Sequence, residues 1–258
     1  MARSKDKVVV GIVHPVEVGA GFMQTIWMLS LRDQATSGRI ADVIMENASA
    51  NICNARNAIV RQFLDKGVGD WLWLVDADMV LEPDTLDRLL DSAHHLTHPI
   101  VGALCFGVHQ HRLFPTLYAM QNDESGRPYT VRFGTFPATG KMQVHATGAA
   151  CLLVHRRVLQ AIRDHRDPET GRPFNPAYPW FQETAQETSS GWHPVGEDVT
   201  FCLRAGALGF PVYVDCGIEV GHQKAMILSS EMYHDQRLLD AVKSRPDVLG
   251  LLAKEPTG

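Results

Sequence analysis

The chain has 258 residues, of which 45% are hydrophobic and 21% charged, with a formal net charge of -5. This length suits one large α/β domain, or one with an elaborated end, and the apolar fraction supports a buried core rather than disorder. The acidic balance argues against a broad basic surface for gripping nucleic acid, no run reaches the roughly 18 apolar residues of a membrane span, and five scattered cysteines without CxxC, Cys53, Cys105, Cys151, Cys202 and Cys216, argue against a disulfide framework or zinc knuckle and for a reducing cytoplasm.

After a polar start, residues 8–13 (VVVGIV) form an apolar run too short for a signal peptide, which reads as a buried parallel strand ending in His14-Pro15. Residues 25–31 suit a helix, and residues 41–45 a second strand. From 51 to 66, Ile52, Ala55, Ile59, Val60, Phe63 and Leu64 recur at helical spacing, with Gly67 as a stop. Residues 71–75 (WLWLV) form a third buried strand that runs into Asp76-Ala77-Asp78. Glu82-Pro83-Asp84 then opens a helix with Leu86, Leu89, Leu90 and Ala93 on one face. Three alternations of strand and helix predict a doubly wound parallel sheet, whose ligands bind beyond the carboxyl ends of the strands.

The second half is less regular. Residues 100–106 form an apolar run, and 113–136 read as short strands around a turn at 123–126. Residues 146–154 read as one glycine-containing strand, followed by a short helix at 158–162. Residues 164–194, rich in Pro, Gly, Thr and Glu, read as a long loop, which in a domain of this kind is functional or disordered. Gly196-Glu197-Asp198 opens a helix stopped by Gly209, and 211–215 form a last strand. Residues 1–225 are expected to be a single domain and 226–258 a helical tail packing on it.

Asp76 and Asp78, at i and i+2 just past a buried strand, can both address one hard cation, magnesium or manganese, which keeps open positions for phosphate oxygens. The same pattern also occurs as ordinary turn chemistry. Glu197 and Asp198 at a helix start are stabilised by the helix dipole, so a capping role competes with a chemical one. The order Asp-x-Asp, Glu-Asp, strand, His222 is more specific than any of its parts. His109-Gln110-His111 has the spacing of a zinc pair but lacks further ligands at suitable spacing. Trp180, Phe181 and Trp192 either pin the long loop to the core or form a stacking platform.

With these residues the chain resembles the GT-A glycosyltransferases, most closely the family 2-like ones. Asn54-Ala55-Arg56-Asn57 resembles the family's "ARN" element, and residues 73–84 (WLVDADMVLEPD) resemble the segment carrying its DXD motif. Residues 147–156 (TGAACLLVHR) resemble the glycine-containing strand beside the sugar. Gly196-Glu197-Asp198 with Cys202-Leu203-Arg204-Ala205 resembles the "ED" helix. The resemblance covers most of residues 8–222. It implies a GT-A fold: a Rossmann-like, doubly wound, mostly parallel sheet with a smaller antiparallel extension. It also implies transfer of a hexose from a UDP- or GDP-sugar to an acceptor hydroxyl, with Mn2+ or Mg2+.

By the same resemblance, Pro15 and Glu17 would line the base and ribose pocket. Arg56 would contact the nucleotide or diphosphate, and Asp76, with Ala77 beside it, would touch ribose or metal. Asp78 and His222 would be the main metal ligands. Gly148 and Ala149 would let backbone approach the donor sugar. Asp198, with Glu197 beside it, would meet the acceptor hydroxyl as base in an inverting enzyme, while a retaining enzyme would place no such base. Apart from the resemblance, Trp180 and Trp192 would contact the acceptor if the loop aromatics are a stacking platform; the acceptor's class (saccharide, lipid, small molecule, protein or modified nucleic acid) stays open, as does the oligomeric state. The acidic residue after the second strand that often binds the base has no clean match; Glu46 or Asn47 would substitute. The "QxxRW" element of processive synthases is absent, which favours single transfer. A sugar nucleotidyltransferase would need a Lys or Arg in the loop at residues 11–17, which has neither. A non-catalytic nucleotide-sugar-binding module is disfavoured by intact Asp76, Asp78, Asp198 and His222.

Overall fold

The computed structural model of the protein describes residues 6–109 and 112–224. The expected tail, 226–258, and the second half of the histidine pair lie outside the described residues. In chain order the elements are β1 (Val8–His14), α1 (Ala20–Ala35), β2 (Ile40–Asn47), α2 (Ile52–Lys66), β3 (Trp71–Asp76), β4 (Met79–Val80), α3 (Thr85–Ser92) and β5 (Ile100–Leu104). Then come β6 (Phe106–His109), β7 (Arg112–Pro115), β8 (Leu117–Asn122), β9 (Pro128–Arg132), β10 (Lys141–Val144), β11 (Ala146–Thr147), β12 (Cys151–His155) and α4 (Arg156–Asp164). The rest are β13 (Thr184–Thr188), β14 (Gly191–Val195), α5 (Glu197–Ala207), β15 (Val212–Glu219) and β16 (Gly221–His222).

Seven strands make the central sheet, in the order β10-β15-β5-β12-β3-β1-β2. β1 is parallel to β2 and β3, and β15 is parallel to β5. β12 is antiparallel to both β3 and β5, and β10 closes one edge antiparallel to β15. The sheet is therefore mostly parallel, and small antiparallel sheets stand beside it, the largest in the order β11-β8-β9. This is the α/β architecture of the GT-A fold, with one feature the alternation of elements did not predict: a reversed strand in the middle.

The apolar runs become central strands because both faces of the sheet are covered. Along β3 the side chains alternate between two cores. Trp71, Trp73 and Val75 pack with Phe22 and Leu29 of α1 and Leu86 and Leu89 of α3. Leu72 and Leu74 face the other way, onto Ile59 and Phe63 of α2 and Val158 and Leu159 of α4. Each such buried side chain contributes about 1.5–3 kcal/mol. α2 approaches β1 so closely that a Cβ on Gly11 would lie 2.6 Å from Ile59 Cγ2.

α2 begins and ends where its sequence says it should. The Asn51 side chain accepts a hydrogen bond from Asn54 N at 3.0 Å, and Gly67 ends the helix at φ 68. Arg156 seals that end, donating to the carbonyls of Phe63 (3.1 Å), Val68 (2.6 Å) and Gly69 (2.9 Å).

Two expectations need correction. Residues 146–154 are not one strand: the chain breaks around Gly148, so β11 joins the small sheet through Tyr118 and Leu117 while β12 enters the large one. The stretch 164–194 is not loop throughout, because β13 and β14 form a hairpin within it.

Candidate active site

β3 delivers Asp76 to the carboxyl edge of the sheet. The strand tip is held on both sides: Asp76 N donates to Ala150 O and Ala77 N to Val13 O, each at 3.0 Å. From α2, the buried Arg56 reaches this tip. Its Nη2 donates to both oxygens of Asp76, at 2.8 and 2.9 Å, and its Nη1 to Glu197 Oε1. Burial disfavours its charge, but Asp76, Glu197 and Asp198 together outweigh that and hold the guanidinium above its ordinary pKa.

Glu197 and Asp198 occupy the first turn of α5, where the helix dipole favours negative charge. Burial nevertheless pushes the Glu197 carboxyl up; Arg56 opposes this and Asp198 adds to it. Burial likewise raises Asp198, again opposed by Arg56. Asp198 lies against the break in the strand: a Cβ on Gly148 would sit 3.6 Å from Asp198 Oδ2 and 3.3 Å from Thr116 Oγ1. Only a backbone without a side chain leaves that space open.

The last side chain arrives from far along the sequence. β16 pairs antiparallel with β4, His222 opposite Met79, and Gln223 N donates to Asp78 O at 2.7 Å. This brings His222 Nε2 to 3.0 Å from Asp78 Oδ2, while Nδ1 bonds Phe106 O at 2.8 Å.

Arg56, Asp76, Gly148, Glu197, Asp198 and His222 line one cleft of about 200 Å3. A larger hollow of about 440 Å3 lies near the other end of α5, beside His145, Cys202 and Phe210, and no carboxylate among the described residues lines it. Chemistry rather than size therefore selects the smaller cleft.

The remaining sequence-level candidates are distributed as follows. Ala149 also lines the cleft, and Ala77 is buried in the strand tip. Pro15 and Glu17 lie exposed in the loop between β1 and α1. That loop runs beside the 221–223 segment, for a Cβ on Gly19 or Gly21 would meet Gln223 Oε1 at 3.3 Å. Glu46 accepts a hydrogen bond from Gln62 Nε2, and Asn47 one from Ser49 N. Trp192 is 70% exposed on β14, but Trp180 is only 2% exposed and donates Nε1–H to Leu159 O at 2.8 Å. The stacking-platform alternative fails for Trp180, which pins its loop to the core.

Sequence reasoning missed Asn57, which is fully buried. Its Nδ2 donates to Cys53 O and Phe181 O, both at 2.7 Å, and its Oδ1 accepts from Trp180 N and Phe181 N at 3.2 and 3.4 Å. The available signal was a polar residue in phase with Cys53 and Val60 on the apolar face of α2. Arg204 holds the same loop through Tyr178 O, Pro179 O and Gln182 Oε1.

The family model described as "Glycosyltransferase like family 2" matches residues 34–238, most of the chain. The chain belongs to this family. Among curated proteins there is no match. Two solved structures are similar to this family 2-like glycosyltransferase. The crystal structure of GalNAc-T7 with UDP, GalNAc and Mn2+ aligns with a TM-score of 0.52 at 13% identity, over 87% of this chain and 45% of that one. The crystal structure of A197 from STIV aligns with a TM-score of 0.49 at 13% identity, over 86% of this chain and 97% of that one. The chain thus spans less than half the length of the GalNAc-T7 chain, and likeness at this identity speaks to fold alone. Among the described residues, no helix is long and apolar enough to cross a membrane.

Proposed function

We propose that this family 2-like protein is a metal-dependent hexosyltransferase. It would move one sugar per encounter from a UDP- or GDP-sugar to an acceptor hydroxyl. The observation that carries this reading is the meeting of Asp78 and His222 at 3.0 Å, with His222 lining the same cleft as Asp198.

The donor set fits a divalent cation. Nδ1 can bond the Phe106 carbonyl only as a donor, and a neutral imidazole in that tautomer would offer its Nε2 lone pair, beside Asp78 Oδ2, to a cation. A metal-binding histidine is oriented in this way, its other nitrogen donating to a backbone carbonyl. Asp78 and His222 would hold the ion, with Asp76 adjacent. Among the described residues no cluster of three or more His, Cys, Asp or Glu could hold a metal, so in this reading diphosphate oxygens would have to complete the coordination. Bound there, the cation would offset the charge of the leaving diphosphate. The neighbour crystallised with UDP and Mn2+ is consistent with this assignment.

Asp198 is the general base of this reading. The acceptor oxygen forms its bond to the anomeric carbon as the bond to the diphosphate breaks, and Asp198 takes the hydroxyl proton, giving inversion. Its raised pKa makes it a stronger base than an ordinary carboxylate. Gly148 and Ala149 would let the donor sugar lie against backbone, and the exposed Trp192 is available to an acceptor.

A thermal-shift panel tests the metal assignment. At saturating UDP or GDP with manganese, Tm should rise by roughly 5–10 °C, since ligand at a hundred times Kd adds about 2.7 kcal/mol. An equal rise in EDTA would show that no cation is involved. Donor-panel turnover, with NMR of the product anomer, reads the reaction itself; no transfer from any nucleotide-sugar would sink the reading.

A further inference from the structure

The helix α1 (AGFMQTIWMLSLRDQA) carries large apolar side chains on its outer face as well as its inner one, and apolar helix faces are normally covered. Here the inner face, Phe22, Thr25 and Leu29, packs on the sheet. The outer face carries Met23, Trp27 and Leu31 at four-residue spacing, flanked by Met28. All are exposed, Trp27 at 66%, and Val16 in the preceding loop is 79% exposed. The edge strand β2 adds to this side of the molecule. Val43 and Met45 are exposed there and pair in register with Val10 and Ile12, both of which pack with the residues under α1.

We propose that this face is the contact between two copies of the chain, related by a two-fold axis. Five bare side chains, one of them a tryptophan, offer on the order of 500 Å2. Two copies would cover about 1,000 Å2, the threshold for a biological interface, and β2 would add to it toward the roughly 1,200 Å2 at which stable interfaces begin. Crossing α1 on its own copy sets Met23 near Leu31 and Trp27 near Trp27, with no charge on the stripe to be opposed or buried. A lipid surface fits less well. Interfacial helices carry a lysine- and arginine-rich polar face, whereas α1 has one basic residue, Arg32, already ion-paired with Asp87 at 3.3 Å, in a chain of net charge -5.

Sedimentation velocity on the full chain, with flotation on anionic and neutral vesicles, tests this. The wild type should sediment as a dimer and stay out of the vesicle fraction. Trp27→Glu should weaken association by at least about thirtyfold, as expected for an interface hot spot, with unchanged circular dichroism. Should that variant fail to fold, Leu31→Glu is read in the same way, and Trp192→Ser, exposed elsewhere, should leave the dimer intact. A wild-type monomer up to about 100 μM, a monomer that floats with vesicles, or a dimer indifferent to both α1 substitutions each overturns the proposal.

Discussion

Arg56 is one cation among three carboxylates, and its fork geometry is what the cluster requires. The resemblance assigns it to the nucleotide or diphosphate; the structure finds both terminal nitrogens engaged, with Asp76 and Glu197. Arg56→Met would leave two part-buried acids facing each other and should cost about 3 kcal/mol in urea unfolding. Arg56→Lys should recover little of it, because an ammonium cannot hold Asp76 with two donors and Glu197 with a third. Asp198→Asn and Asp78→Ala should each leave the fold intact and lower kcat by at least about a hundredfold in a transfer assay. Wild-type rates in either variant would remove that residue from its role. Asn57→Ala strands the Trp180 and Phe181 amides and should cost about 2–4 kcal/mol, with faster proteolysis between residues 165 and 183. Asp76, Asp198 and His222 stood out in the sequence as candidates because carboxylate and imidazole groups are conspicuous at strand tips and helix starts. Asn57 did not, because the Trp180 and Phe181 backbone it holds lies more than a hundred residues away and only the fold brings it near.

At the level of elements, local signals read true and remote ones were silent. Asn51 and Gly67 mark the bounds of α2 through contacts within the helix itself, so the sequence alone locates them; Gly67→Ala, at φ 68, should cost about 1 kcal/mol by thermal unfolding. The split at Gly148 and the hairpin β13–β14 depend on partners elsewhere, Tyr118 for one and Gln186 bonding Thr130 for the other, so periodicity could not reveal them. α4 shows a second kind of local control. His155 caps it, Nδ1 accepting from Arg157 N at 3.2 Å, and the ring packs against Trp71 and faces His95. Burial, then the nearby His95 and Arg157 charges, lower its pKa from 6.5 to about 4, against the opposing pull of Asp70 and Asp6. The unfolded chain therefore takes up a proton that the folded one refuses. This stability is present above pH 6.5 and is lost as pH falls toward 4, at up to about 1.4 kcal/mol per pH unit. His155→Asn keeps a capping group without that titration, so urea midpoints between pH 6.5 and 4 should fall less steeply than in the wild type; an unchanged slope would clear His155 of the effect.

For the molecule as a whole, the alternation of the first hundred residues was enough to anticipate a wound α/β sheet, and the candidate cleft lies at the carboxyl edge where such sheets bind ligands. The strand order was not recoverable, since β12 (CLLVH) is about as apolar as β3 and β5, to which it runs antiparallel, and nothing in it declares its direction. That reversed strand has a consequence for how the chain is made. β2, β1 and β3 can assemble from the first third of the sequence, but β3 gains its second neighbour only when β12 emerges. Until then a newly synthesised polypeptide displays the rim of its most tryptophan-rich strand with backbone donors and acceptors unanswered, a template for any passing extended segment. Pauses in translation between those two strands should therefore favour aggregation, and chaperones that shield extended hydrophobic segments should matter most during that interval of the protein's birth.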